Sequence, residues 1–533
     1  MKKLIAVLAF AVASAIVFVT IRPAFGGTRY IAQSAGTFSG GTVCNGQTTI
    51  TPAIFNWITN SPGDVNYICG TIIGSAGEQL LRPKGNGAVG NPVIIRFDTG
   101  AILEAPYFAP PPNGGCGGAI CLYGLSYYTI DGQKTGTIEN TANGTTLAYK
   151  QPTEAIEGFN CNHCTVENLT IANMYVHTST GDTSANAVAQ RCISFSGSNW
   201  LIQNNVMHDA GWCLYNNFSN GDGNVVIAGN TIYNTDHGWM LASQVSGGSS
   251  GPFIFRNNTV YGYANWDTGL ADVYHHDGIH CFTSETHGSP AHITLLAIYD
   301  NLFKGPVGQN ITAHIFLEGG SGSGSTPCAD STSGIAVYNN VAITDQPIND
   351  GLFGLYAGNA TPTYGGGVYN NTIVSNAGTN SGVCFGVGMA AGMTFENNAV
   401  SGCNQLMAEL VTVPFSPNYN RYGDGGNNAF VCNRNYWSPD AFSLWKSCIK
   451  GDANSAYKTS LKLNDTGIPQ LRSPVINAGT NLTSLCTGNL ASLCSDYAGN
   501  SRPTSGPWTV GAYATSDSAP QPTHRPHGKV VTN

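Results

Sequence analysis

The chain has 533 residues, only 10% of them charged, with 67 glycines and a formal net charge of −8. That balance excludes a nucleic-acid binder, which needs a basic stripe to neutralise phosphates, and the lack of long runs of helix formers excludes a helical bundle. A length near 500 residues ordinarily calls for two or three domains, but a repeat solenoid grows by adding coils and uses such a length as one body.

Met1-Lys2-Lys3, the apolar run Leu4 to Ile21 and the small-residue site Ala24-Phe25-Gly26 have the layout of a secretory signal peptide spanning residues 1–26. The same run is long enough for an uncleaved membrane anchor, which is the competing reading. Cleavage near Gly27 predicts a secreted protein, extracellular or periplasmic, with no membrane contact afterwards. Residues 27–80 are expected to form an N-terminal cap and first coil. Within them Thr51 is suited to cap a helix and Pro52 to open it. Short strands follow at Pro92–Phe97, Ala119–Leu122 and Tyr128–Gly132.

Residues 81–410 carry the repeat. Leu201-Ile202-Gln203-Asn204-Asn205, Val226-Ile227-Ala228-Gly229-Asn230, Ile254-Phe255-Arg256-Asn257-Asn258 and Ala297-Ile298-Tyr299-Asp300-Asn301 share one pattern, as do the segments ending at Asn340, Asn371 and Asn398. The apolar marker steps from Ile202 to Ile227, Phe255, Ile298, Val337, Val368 and Phe395, at intervals of 25, 28, 43, 39, 31 and 27 residues. A floor near 25 with longer steps between is what coils give when one loop per turn grows without disturbing the stack. The last Asn of each segment is expected to tolerate left-handed geometry at a strand-to-turn corner and to hydrogen-bond along a column of identical amides.

Sixteen cysteines suit an oxidising compartment and permit eight disulfides. Cys116 with Cys121, Cys432 with Cys448, and Cys486 with Cys494 are candidate local pairs, while Cys161 and Cys164 suggest a disulfide or stacked thiols rather than half a zinc site. Residues 411–513 form a C-terminal extension and cap, and 514–533, rich in Pro, Ser and Thr, a disordered tail.

The stretch from Ile50-Thr51-Pro52 through Ser61-Pro62-Gly63-Asp64 to Cys69-Gly70, followed by these coils, resembles the opening of pectin-lyase-fold proteins. The segments Ser473–Gly479, Asp496–Pro503 and Val510–Tyr513 are similar to the close of bacterial β-helix proteins. The resemblance implies an all-β, single-stranded right-handed parallel β-helix, with an N-terminal capping helix and a C-terminal capping segment. It is specific for fold and weak for activity.

Eight of twelve histidines fall between His208 and His314. Aligning Asp209–Leu214, Asp236–Leu241, His276–Cys281 and Thr312–Leu317 puts Trp212, Trp239, Ile279 and Ile315 inside, with Cys213, Met240, His280 and Phe316 outside. Asp209, Asp236 and His276 then make one column, and Ala210, His237 and Asp277 the next. Asp236, His237, His276, Asp277 and His280 are the candidate catalytic residues. Asp209, Trp266, Tyr274, Arg256, Lys304 and Glu318 are candidates for holding substrate, Trp266, Asp267 and Asp272 lying in an insertion suited to stack sugars. Paired carboxylates suit glycoside hydrolysis. A lyase needs a base, for which His276, His280 or Tyr274 qualifies, and a cation beside the uronate, for which Arg256 and Lys304 are nearest. Calcium would be that lyase's cofactor, and a metal on His237, His276, Asp277 and His280 is a third reading. The leading expectation is a secreted, monomeric enzyme cleaving a polysaccharide, lyase or hydrolase. Its rival is a non-catalytic surface or adhesive solenoid that binds glycans or proteins.

Overall fold

The computed structural model describes residues 26–110, 116–177, 189–243, 248–263, 276–283, 292–305, 313–317, 328–330, 333–344, 353–355, 365–376, 382–387, 392–409 and 416–515. The predicted signal peptide up to residue 25 and the tail from residue 516 lie outside them.

Among these residues 34 strands join into one sheet system. Leu201–Gln203 pairs in parallel with Val225–Ala228, that strand with Phe253–Arg256, and that in turn with Leu296–Tyr299, so each turn of chain adds one rung. The path is a right-handed parallel β-helix. The marker residues Ile202, Ile227, Phe255, Ile298, Val337, Val368 and Phe395 stand in one register column. All seven are fully buried, and each contributes about 1.5–3 kcal/mol by leaving water. Parallel stacking continues past residue 410 through Ser416–Asn418, Arg421–Gly423 and Ala456–Lys458.

The asparagine column runs from Asn205 through Asn230, Asn258, Asn301, Asn340, Asn371 and Asn398 to Asn420, each Nδ2 donating to the next Oδ1 at 2.9–3.1 Å. The second Nδ2 hydrogen goes to a carbonyl of the preceding coil, as from Asn301 to Phe255. Each Oδ1 also takes the backbone N–H of the Asn before it. Every donor and lone pair of a buried amide is therefore used, which is the condition for burying one without penalty. The left-handed conformation belongs not to these residues but to their predecessors, Asn204, Gly229, Asn257, Asp300, Asn339, Asn370 and Asn397. Two residues thus divide the work, one bending the chain and one hydrogen-bonding along the stack. The column ends where Asn420 donates from Nδ2 to Asp452, a carboxylate also held by Trp445 and Tyr422.

Thr51 caps the predicted helix, Pro52–Phe55, which is a single turn burying Phe55. At the other end Phe442–Ile449 packs Trp445 against Phe430 and the core. The later segment lies along the flank: Leu482, Leu493 and Trp508 cover Tyr338 and Tyr369, while Tyr497 and Tyr513 cover Val341 and Ile343. Closing the end and covering the side are thus separate duties of the C-terminal extension.

The three expected local cysteine pairs form, Cys161 joins Cys164, and further disulfides link Cys44 to Cys69, Cys281 to Cys328 and Cys384 to Cys403. Cys192 and Cys213 remain reduced in the core.

Candidate functional site

Strands Thr153–Gly158, Gln190–Phe195, Val206–Phe218, Thr231–Ser243, Asp277–Thr283 and Ala313–Leu317 stack on one sheet. Leu214, Trp239, Ile279 and Ile315 form the inward column. Alongside it run Trp212, His237, Asp277 and Ala313, and then Tyr215, Met240, His280 and Phe316.

This register corrects part of the sequence alignment. Leu214, not Trp212, lies beside Trp239, because both stand nine residues after their ladder asparagines, Asn205 and Asn230. Trp212 is half-buried and meets the ring of His237 edge-on at 6.2 Å. Cys213, expected outside, is in the core. Ala210 pairs with Thr235 rather than His237, so Asp209 falls beside Asn234, whose Nδ2 donates to it, and away from Asp236. Asp209 also bonds His208 Nδ1 at 2.5 Å and has a left-handed backbone, making it a corner residue.

Arg256 sits in the strand of the marker column and donates to Asn257 at 3.1 Å. Lys304 follows His208, Tyr233 and Tyr261 in a different outer column. Neither belongs to the histidine and aspartate columns. Trp266, Asp267, Asp272, Tyr274 and Glu318 lie outside the described residues.

The five remaining candidates converge. His237 Nδ1 bonds Asp236 Oδ1, and its Nε2 lies 3.3 Å from Asp277 Oδ2. His276 Nδ1 is 3.5 Å from Asp236 Oδ2, and His280 Nδ1 is 3.7 Å from Asp277 Oδ2. The N–H of Ala313 donates to Asp277 Oδ1 at 2.8 Å. His237 and His280 stack at 5.4 Å. Asp236, His276 and Asp277 are fully buried, and His237 and His280 nearly so.

Burial alone would raise the pKa of Asp236 and lower that of His237. For Asp236 the charges and hydrogen bonds of His237 and His276 outweigh it and hold the carboxyl well below its usual range. For His237, Asp236 and Asp277 outweigh it and lift the imidazole to about 9. At neutral pH Asp236 is therefore a carboxylate and His237 an imidazolium. His314, buried against Tyr263 and Phe303, is instead pushed down to about 3 by burial, and is neutral.

Ligand atoms of His237, Asp277 and His280 all lie within 4.8 Å of one another. Two imidazoles and a carboxylate suit a first-row transition ion such as zinc, with Asp236 orienting His237 from behind. Calcium asks for six to eight oxygens, and the trio offers one carboxylate.

The sequence reading missed the other half of this face. Glu154 pairs in register with Arg191, and their side chains form a 3.2 Å ion pair. The Arg191 guanidinium lies 4.0 Å from the Tyr215 ring centre and 5.6 Å from that of Trp212. Glu157, one rung from Ser194 and two from Tyr215, is lifted to about 7, chiefly by burial. Counting the nine-residue offset would have turned Trp212 outward, but Glu154 and Arg191 precede the asparagine pairs and carried no such signal.

No family model matches the chain, and no curated protein matches it. Similar solved structures include a GH136 lacto-N-biosidase from Eubacterium ramulus, at 12% identity and TM-score 0.38, covering 69% of this chain and 66% of that one, just under two thirds. A tailspike protein double mutant of E. coli bacteriophage HK620 is 10% identical at TM-score 0.41, covering 82% and 72%. The pectate lyase Pel9A is 13% identical at TM-score 0.32, covering 92% and 97%. These similarities are remote, and it is the chain's own strand register that makes it a right-handed parallel β-helix.

Proposed function

We propose that this protein is a secreted enzyme that cleaves a polysaccharide lying along the sheet from Arg191 to Phe316, with the reaction centred on His237, Asp277 and His280. The observation carrying the proposal is the convergence of two carboxylates and three imidazoles on adjacent rungs, in line with Arg191, Trp212 and Tyr215. Charged groups that perturb one another on adjacent rungs are candidates for a site of chemistry.

The geometry favours elimination over hydrolysis. The imidazole of His237 fills the space between Asp236 and Asp277, so these carboxylates cannot flank a glycosidic bond as a hydrolase's pair must. The His237 imidazolium, held between Asp236 and Asp277, is suited to stabilise charge as the proton beside a uronate carboxylate leaves. In the proposed step His280 takes the proton beside that carboxylate. The released pair forms the carbon–carbon double bond and expels the glycosidic oxygen, which takes a proton from water, and the His280 imidazolium returns its own proton to the solvent. Asp236 and His276, wholly buried, position His237 rather than touch the chain.

The test is a polysaccharide panel scored for both new reducing ends and unsaturated uronates, with His237→Ala and His280→Ala beside the parent. Unsaturated products lost in both variants support elimination at this site. Reducing ends without unsaturation would replace it by hydrolysis, and glycan binding without turnover would leave a binding solenoid.

A further inference from the structure

We propose that Glu154, Arg191 and Trp212 form a subsite for a neutral sugar residue, so that the substrate is a mixed chain of uronate and neutral sugars. This rests on the polysaccharide reading and adds the substrate class.

Glu154 is fully buried. Its Oε1 accepts from Arg191 Nη1 at 3.2 Å and Ser194 Oγ at 2.7 Å, whereas its Oε2 has no partner among the described residues. The same is true of the Arg191 Nε–H and the Trp212 Nε1–H, both buried atoms. Three orphaned polar atoms on neighbouring rungs are a burden that a native protein normally relieves with a ligand or water. Together they offer one acceptor and two donors. A sugar hydroxyl both donates and accepts, and so meets this set. Beside them the half-buried rings of Trp212 and Tyr215, stacked at 5.5 Å, supply an apolar surface for the carbon face of a pyranose.

The charge pattern selects against an acid here. Arg191 is already matched by Glu154, so a uronate would bring a second carboxylate against a buried one, whose pKa burial already raises. Arg191 pairs with Glu154 one rung back and stacks on Trp212, which pairs with His237 one rung further along. At about 4.8 Å per rung, this lies one to two sugar rings from the reacting position. A sparsely charged glycan also suits a protein of net charge −8 better than a polyuronate does.

The experiment compares the full-length mature protein with Trp212→Ala, Trp212→Phe and Glu154→Gln, after circular dichroism and melting confirm folding. The probes are rhamnogalacturonan and glucuronoxylan oligosaccharides as mixed chains, polygalacturonate and alginate as pure uronates, and mannan as neutral. Mixed chains should bind most tightly. Trp212→Ala should raise their KM at least tenfold with kcat within about threefold, and Trp212→Phe should fall between. Glu154→Gln leaves the arginine unmatched and should strengthen polygalacturonate binding several-fold, in a salt-sensitive way. Tighter binding of pure uronates by the parent, or mixed-chain binding indifferent to Trp212→Ala, would overturn the subsite. If mixed chains bind through Trp212 but nothing is cleaved, the enzyme reading fails and the subsite stands. If cleavage needs His237 but not Trp212, the reverse holds, and no binding by any probe overturns both.

Discussion

Asn301 gives the sharpest test of how the solenoid is held together. Its Oδ1 accepts from the Asn258 N–H at 2.9 Å and the Asn258 Nδ2 at 3.1 Å, and its Nδ2 donates to Asn340 Oδ1 and the Phe255 carbonyl, both at 2.9 Å. Asn301→Ala orphans two buried donors of Asn258, and at ~1–3 kcal/mol for each the local cost is about 4 kcal/mol. A cost of that size corresponds to about three decades in an opening equilibrium, so hydrogen exchange at the Asn258 amide should accelerate roughly a thousandfold. Exchange at Asn398, three rungs on, should not change. Asn301→Asp separates the two sides of the residue, since it still accepts from Asn258 but turns an oxygen towards Asn340 Oδ1 and the Phe255 carbonyl. It should spare the Asn258 amide relative to Asn301→Ala. Acceleration below tenfold in Asn301→Ala, or equal acceleration along the whole chain, would show that the column is not what fixes one coil to the next.

Three further outcomes follow from the site and its surroundings. His237 has a pKa near 9 against ~6.5 when unfolded, so its stabilisation is complete below about pH 6.5 and is lost as pH rises through 9. In EDTA, Asp236→Asn should therefore cost up to about 3 kcal/mol near pH 6 by denaturant midpoint, and a gap unchanged up to pH 10 would contradict the assignment. Zinc added to chelator-treated protein should raise the melting temperature of the parent but not of a His237→Ala, His280→Ala double variant, and equal shifts in both would place the ion elsewhere. Removing the Cys281–Cys328 disulfide, whose partners are 47 residues apart, should cost on the order of 4 kcal/mol from chain entropy, and an effect below 1 kcal/mol would refute that contribution.

The fold was legible in the sequence because an apolar residue and an asparagine recur at fixed offset, and both sides of that pattern are buried in register. The site was legible only in part. The ladder and strand alternation bring Asp236, His237, His276, Asp277 and His280 together, but the alignment that sets Trp212 beside Trp239 is two residues out of step, since Trp212 stands seven residues after Asn205 and Trp239 nine after Asn230. Register is set by backbone pairing, so the fixed offset from the ladder decides which residues stand side by side. Glu154 and Arg191 were missed because they lie 37 residues apart, on coils without a paired asparagine to align them.

The asparagine column has a direction. One Nδ2–H of each amide points towards the C-terminal coil while its Oδ1 points back, so the amide dipoles add head to tail and leave a partial positive charge where Asn420 faces Asp452. A carboxylate there terminates the series much as an acidic side chain terminates the N-terminus of an α-helix. Every intermediate coil offers the same donor above and the same acceptor below, so the column is indifferent to how many coils it contains. Length can thus change by whole coils between Asn205 and Asn420 without a new joint being devised, while the terminus with Asp452 must be kept. A solenoid built this way can match the length of its groove to the length of its ligand by duplication or excision alone.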